Sequence, residues 1–363
     1  MNKTIIGASF LLLLSGCSEQ VSPPLTSGID RDGMNLQVRP QDDFYEYANG
    51  GWLARTQIPA DEVGWGSYMT LRKESLEQSK AIVLDVAANP GTDSAKIKIG
   101  DYYNAYMDET GIEVLGIAPI AKDLIAIDQL QTHDDIAAYF GSSNPMGVDA
   151  PFNLYVGQDD KDATSYVMFF VQSGLGLPDR AYYNDNSDRG QQIIAKYQSY
   201  IETVLSLSGH QNAGLAAQQI FALESQLAAA QWTKVDNRDA DKAYNKYSSK
   251  EFNKLLSNLD LEQYYLGIGV SDADYVIVSQ PSYLEAVNNL FRKTPVTTWQ
   301  DYLRLRLING FAAYLSSPFV DARFEFYAKT LSGRQEQQDR WRRAVSSING
   351  NLGELLGQLY VEK

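Results

Sequence analysis

The chain has 363 residues, 44% hydrophobic and 21% charged, a soluble globular balance at a length that calls for more than one compact core. Acidic residues outnumber basic ones 45 to 31, for a net charge of −14, which argues against nucleic acid or an anionic membrane surface as the main partner. A single cysteine excludes an intrachain disulfide.

In chain order, MNKTIIGASFLLLLSGCSEQ comes first. It has Lys3, an apolar run from Ile5 to Leu14, and small residues at Ser15 and Gly16. This pattern reads as a secretory signal peptide, too short to span a membrane. Leu14-Ser15-Gly16-Cys17 resembles a lipoprotein cleavage box, so residues 1–17 are expected to be the signal and Cys17 the lipidated residue. Ser18 stands where an inner-membrane lipoprotein usually has aspartate, which points to the outer membrane. Residues 18–39 are polar, with Pro23-Pro24 and Gly28, and read as a flexible tether.

Most of the remaining chain has helical periodicity. Leu71, Leu76, Ile82, Val83 and Val86 predict a helix over 68–88, stopped at Asn89-Pro90-Gly91. Ile97, Ile99, Tyr102, Tyr103 and Tyr106 predict the next. Ile193, Ile194, Tyr197, Ile201, Val204 and Leu205 form an amphipathic stripe ending at Gly209, and Ile220, Leu223 and Leu227 mark another. Ser248 with Glu251, and Thr298 with Asp301, read as capping boxes for helices over 252–259 and 302–315. Pro281 suits the first turn of a helix through Phe291. Leu352, Leu355, Leu356 and Leu359 make a final apolar stripe with no stop signal after it. FNLYVGQDDKDATSYVMFFVQ at 152–172 predicts a β-hairpin, and DYVIVS at 274–279 a further short strand. The fold class expected is mainly α with a small β element.

No catalytic constellation emerges from these residues. His133 and His210 lie far apart in sequence, neither in an HExxH pattern, and read as surface residues at helix ends or loops. Thr132 with Asp134 and Asp135 reads as a helix start, as does Asp42-Asp43. No GxSxG elbow occurs, and GLGLPD at 174–179 lacks the third glycine of a dinucleotide loop. The acidic runs at 159–160 and 236–241 lack calcium-loop spacing. No catalytic or metal-binding residue is therefore expected in this sequence.

Four ordered segments nonetheless resemble one family. PQDDFYEYANGGWLARTQIP (40–59), QSGLGLPDRAYY (172–183), TTWQDYLRLRLI (297–308) and RWRRAVSSINGNLGELLGQLYVEK (340–363) are similar to the first part of neprilysin and endothelin-converting-enzyme zinc metallopeptidases, including bacterial oligopeptidases. Asn49 occupies a position where animal members carry cysteine, consistent with a bacterial member. The resemblance implies two mainly helical domains around a peptide-limiting chamber. Residues 40–72 would pack on the catalytic domain, 73–345 would form the helical lid, and 346–363 would begin the linker to the zinc domain. It also implies that Arg72, in GWGSYMTLRKESL, binds the carboxylate end of short peptides, a task suited to a two-pronged, permanently charged guanidinium. The alternative for Arg72 is a solvated helix arginine beside Lys73 and Glu74.

The family's HExxH helix, later glutamate and further histidine do not occur in this sequence. Lys363 accordingly reads as a cut, and the chain as the inactive N-terminal half of a lipid-anchored zinc endopeptidase. Zn2+ is expected in the full-length enzyme and no cofactor in this chain. Expected partners are peptides, the membrane through Cys17, and a separately encoded catalytic half, with no nucleic acid. The alternative function is a peptide- or partner-binding lipoprotein that does not cut, on which reading the final leucine stripe would have lost its packing partner.

Overall fold

The structure, a computed structural model, describes residues 28–270 and 273–363. Cys17, the signal segment and the first part of the tether lie outside the described residues. The chain divides into two units, the first ending at Gln57 and the second running from Ile58 to Lys363.

In the first unit a single turn at Arg31–Gly33 precedes α1 (Phe44–Arg55). Asp43 caps α1 by accepting from the Glu46 amide at 2.8 Å, as its place before Phe44 predicts. From Asp30 onward the expected tether is tied to that helix: the Asn35 amide donates to Tyr47 O at 2.8 Å, and Arg55 Nη1 donates to Asp32 O at 2.6 Å. The paired glycines of ANGGW permit this approach, since a Cβ on Gly51 would sit 2.7 Å from Met34 O.

The second unit begins with α2 (Ser67–Ala88), α3 (Ser94–Met107), α4 (Glu109–Leu115), α5 (Ala121–Asp128) and α6 (His133–Ser143). The hairpin β1 (Phe152–Asp159) and β2 (Asp162–Gln172) follows where the sequence predicts it. Then come α7 (Asp188–Leu207), α8 (Ala213–Ala230), α9 (Ala240–Ala243), β3 (Asn245–Ser248), α10 (Ser249–Leu255), α11 (Leu261–Ile268) and β4 (Tyr275–Val278). The chain closes with α12 (Pro281–Phe291), α13 (Val296–Phe311), α14 (Ser317–Arg323), a π-helical stretch over Phe324–Leu331, and α15 (Arg340–Glu362). The architecture is mainly α with one small sheet. Among the described residues, no helix is long and apolar enough to cross a membrane.

The sheet is mixed, in the order β1-β2-β4-β3. β2 pairs in parallel with β4, Phe169 opposite Ile277, and β3 closes the far edge antiparallel to β4. Side chains alternate across the sheet. Met168, Phe170, Val276 and Val278 enter the main core, whereas Val167, Phe169 and Ile277 form a small cluster on the other face. The main core is aromatic, with Phe140, Phe152, Phe170, Tyr264, Phe291, Trp299 and Tyr302 fully buried.

A second core joins α2, α3 and α15 through Ile82, Val83, Val86, Ile99, Tyr103, Val345 and Ile348. The final leucine stripe belongs to it: Leu356 and Leu359 are 2% and 7% exposed. The stripe therefore finds its packing partner within the chain, contrary to the expectation of an exposed apolar face. Backbone at Leu352 leaves the helical region (φ −128°, ψ 30°), so α15 bends there. Gly350, Asn351 and Gly353, all poor helix formers, flank the bend.

One predicted cap is corrected. Helix α13 starts at Val296 after Pro295, a turn before the predicted Thr298–Asp301 box. Pro295 has φ −57°, which already sets the helical value, and Asp301 is engaged by His210 instead. The Ser248–Glu251 capping box forms as read, and so does one at Thr132–Asp135.

Candidate functional site: an arginine-lined pocket

Three of the four segments that carry the family resemblance build the two cores, whereas in the first, PQDDFYEYANGGWLARTQIP, Phe44 and Tyr45 are exposed. Gly174, at φ +88°, turns QSGLGLPDRAYY back under the sheet, and a Cβ there would lie 2.7 Å from both Pro151 Cα and Tyr302 Oη. A Cβ on Gly176 would collide with the Tyr197 hydroxyl. The carbonyls this loop exposes are taken up by buried donors. Tyr302 Oη donates to Gly174 O at 2.9 Å, Arg306 Nη2 to the same oxygen at 2.6 Å, and Tyr327 Oη to Gly176 O at 3.0 Å.

Arg306 also pairs with Glu224, both almost wholly buried. The second carboxylate oxygen of Glu224 accepts from Tyr183 Oη at 2.6 Å and Tyr197 Oη at 2.8 Å. Burial, and then the charge of Glu224, pushes the Tyr183 phenol far up, so it stays a donor. Both carboxylate oxygens of Glu224 are thus engaged, whereas Arg306 Nε is buried without a partner. Arg180 donates to the carbonyls of Ala228 and Ala229, closing the end of α8.

Neither histidine offers itself to a metal. His133 Nε2 bonds Thr294 O at 2.9 Å, and His210 Nε2 bonds Asp301 Oδ1 at 2.9 Å. Both are half-buried and bonded within the fold, not surface residues as the sequence suggests. Burial raises the Asp301 carboxyl against the pull of His210. Among the described residues, no three His, Cys, Asp or Glu side chains gather as a metal site. Three protein donors plus water are what a catalytic zinc requires, so this donor set does not fit the metal. Asp159, from one of the acidic runs, serves a turn: it accepts from the Lys161 amide at 2.8 Å and from Tyr244 and Tyr275 Oη, each at 2.9 Å.

Arg72 is different. It lies on the first half of α2, where Leu71 is 63% exposed, and the helix becomes buried only from Ile82. Its side chain lines a cavity of about 360 Å³ together with Arg323 at the end of α14, Arg334 in the following loop and Arg343 on α15. Tyr106, Tyr314 and Phe324 supply aromatic wall, and no Asp or Glu lines it. The π-helical stretch contributes Phe324 and Ala328, and such segments recur at functional sites.

The pocket is braced from behind. Arg342 pairs with Asp61 and Glu62, the latter at 2.6 Å, and the amides of Gln335 and Glu336 both reach Ala60 O at 3.0 Å. Arg343 Nε donates to Gln338 O at 3.1 Å, and Arg323 lies 5.5 Å from the Tyr327 ring centroid. Arg334 Nε is buried without a partner. Burial pushes the Tyr106 phenol up, with Arg343 and Arg340 pulling the other way. The arrangement is a mixed aromatic and cationic cavity suited to an anionic organic group.

Of the four arginines that line this cavity the sequence singles out Arg72 alone; Arg323, Arg334 and Arg343 come from three separate segments. The only sequence trace was a basic cluster at 334–343 in an acidic chain.

The chain is thus a mainly helical scaffold with one four-stranded sheet, and its relatives identify the class. Residues 40–363 match the model of peptidase family M13, and the chain belongs to that family as its N-terminal region. It is 27% identical over 365 residues to endothelin-converting enzyme-like 1 of Mus musculus, covering 96% of this chain and 47% of that protein. It is 28% identical over 367 residues to endothelin-converting enzyme 1 of Cavia porcellus. The structure matches the Mycobacterium tuberculosis zinc metalloprotease Zmp1, crystallised with an inhibitor, at a TM-score of 0.89 and 32% identity, over 94% of this chain and 52% of that one. PepO of Lactobacillus rhamnosis shares the fold at a TM-score of 0.77 and 21% identity. The chain spans about half the length of the curated relatives it matches.

Proposed function

We propose that this chain forms the wall and substrate-end pocket of a lipid-anchored zinc endopeptidase that hydrolyses peptides in an enclosed chamber. Family membership over residues 40–363 supports the reaction class. The observation that carries the role of this chain is the placement of Arg72 on the wall of an aromatic and cationic cavity. Arg72 receives the free carboxylate end of a short peptide there through its two-pronged guanidinium.

Zinc, when bound in the complete enzyme, supplies Lewis-acid activation of water. Its donors come from a catalytic half that this chain does not provide, because His133 and His210 are both committed to the fold. Cys17 carries the lipid and holds the protein at the outer membrane.

Calorimetric titration of the chain with a short peptide and its C-terminal amide tests the Arg72 role. The free acid binds about 10-fold tighter than the amide, and Arg72→Gln abolishes the difference, since a hydrogen-bonded charge pair contributes roughly 1.5 kcal/mol or more. Equal affinity of acid and amide removes the assignment.

One observation favours a second reading, a peptide-binding lipoprotein that does not cut. The burial of Leu356 and Leu359 leaves the end of α15 packed within this chain. On that reading peptide binding survives a chelator and no partner restores hydrolysis.

A further inference from the structure

Arg72 accounts for one positive charge in the cavity, and the walls carry three more. Elsewhere in this acidic chain arginines close to carboxylates are paired: Arg304 with Asp128, Arg306 with Glu224, Arg340 with Glu109, and Arg342 with Asp61 and Glu62. The four arginines of the cavity have no ion pair among the described residues, and the nearby Asp61 and Glu62 are already engaged by Arg342. Arg334 Nε is buried and unpartnered, a donor left without an acceptor. Guanidinium groups keep their charge at every physiological pH, so the mutual repulsion of these four is not relieved by deprotonation. An anionic occupant offsets it directly, and one carboxylate offsets one charge of four.

The cavity also has a size and a lining. At about 360 Å³ it admits a whole terminal residue, and Tyr106, Tyr314 and Phe324 offer surface to carbon atoms. An inorganic ion uses neither feature. We propose that the pocket selects peptides whose C-terminal residue is itself acidic, aspartate or glutamate, so that the α-carboxylate and the side-chain carboxylate enter together. Arg323, Arg334 and Arg343 set that specificity by meeting the second carboxylate. The inference rests on the carboxylate-end role of Arg72 and adds the substrate class.

The test is calorimetry on the 363-residue chain with acetyl-Ala-Ala-Asp, acetyl-Ala-Ala-Asn, the C-terminal amide of the latter, and inorganic phosphate. The aspartate peptide binds about 10-fold tighter than the asparagine peptide, since one more charge-assisted pair is formed. Arg323→Gln, at an exposed side chain, weakens the aspartate peptide more than the asparagine peptide and so shrinks that ratio. Arg323→Lys restores part of the ratio, and circular dichroism verifies that each variant is folded. Arg334→Gln shrinks the ratio in the same way.

Equal affinity for the two acids, both above the amide, overturns the acidic-end inference and leaves the Arg72 role standing. Equal affinity for all three peptides overturns both. Phosphate binding without peptide binding reassigns the pocket to a free anion and overturns the inference as well.

Discussion

Glu224 shows how much of the fold one side chain secures. It holds Arg306, Tyr183 and Tyr197 in one buried network beneath the GLGLPD loop. Glu224→Ala strands a buried guanidinium and is predicted to cost about 3–5 kcal/mol, read as a lowered urea midpoint. Asp159 gives a pH signature. The Lys161 amide first, and then the Tyr244 and Tyr275 phenols, hold its carboxyl below the ordinary value of 3.8. A depressed acid stabilises the fold above its unfolded pKa and loses that contribution as pH falls through the folded one. The melting temperature of the native chain therefore exceeds that of Asp159→Asn at neutral pH, and the gap closes below pH 3.8. A gap that widens in acid contradicts the assignment. At this scale the sequence disclosed residue types well and partners poorly. Asp301 reads as a capping acid because of its spacing from Thr298, yet its partner His210 lies on a different segment, and no local pattern announces that pairing.

Among the elements, α15 is where local pattern and tertiary context meet. Its leucine spacing shows that one face must be buried but not what buries it. The bend at Leu352 turns Leu356 and Leu359 onto the core shared with α2 and α3, and Lys363 Nζ reaches Asp85 Oδ2 at 3.2 Å. Leu356→Ala is predicted to cost about 2–5 kcal/mol and to make the end of α15 sensitive to limited proteolysis. A neutral effect on stability contradicts that packing. The hairpin was legible because its two strands alternate around a polar turn. Strand β3 was not, because NKYS is four residues long and mostly polar, and it becomes a strand only through pairing with β4. The parallel junction of β2 with β4 was equally silent, being a long-range pairing of two apolar runs with no turn between them.

For the molecule as a whole, fold class and family were readable from four ordered segments, in which glycines such as Gly51, Gly174 and Gly176 are fixed by close approach of neighbouring atoms. The pocket was only partly readable, because its four arginines converge from α2, α14, a loop and α15. We propose a division of labour in which this chain holds the substrate end and contributes no zinc site. Its most direct test is an assay of the purified 363-residue chain, supplied with zinc, against a fluorogenic peptide, with and without a chelator. No chelator-sensitive cleavage is expected, because both histidines are committed to Thr294 and Asp301 and no cluster of three metal-ligating side chains exists among the described residues. Cleavage that appears with zinc and vanishes with chelator would contradict it.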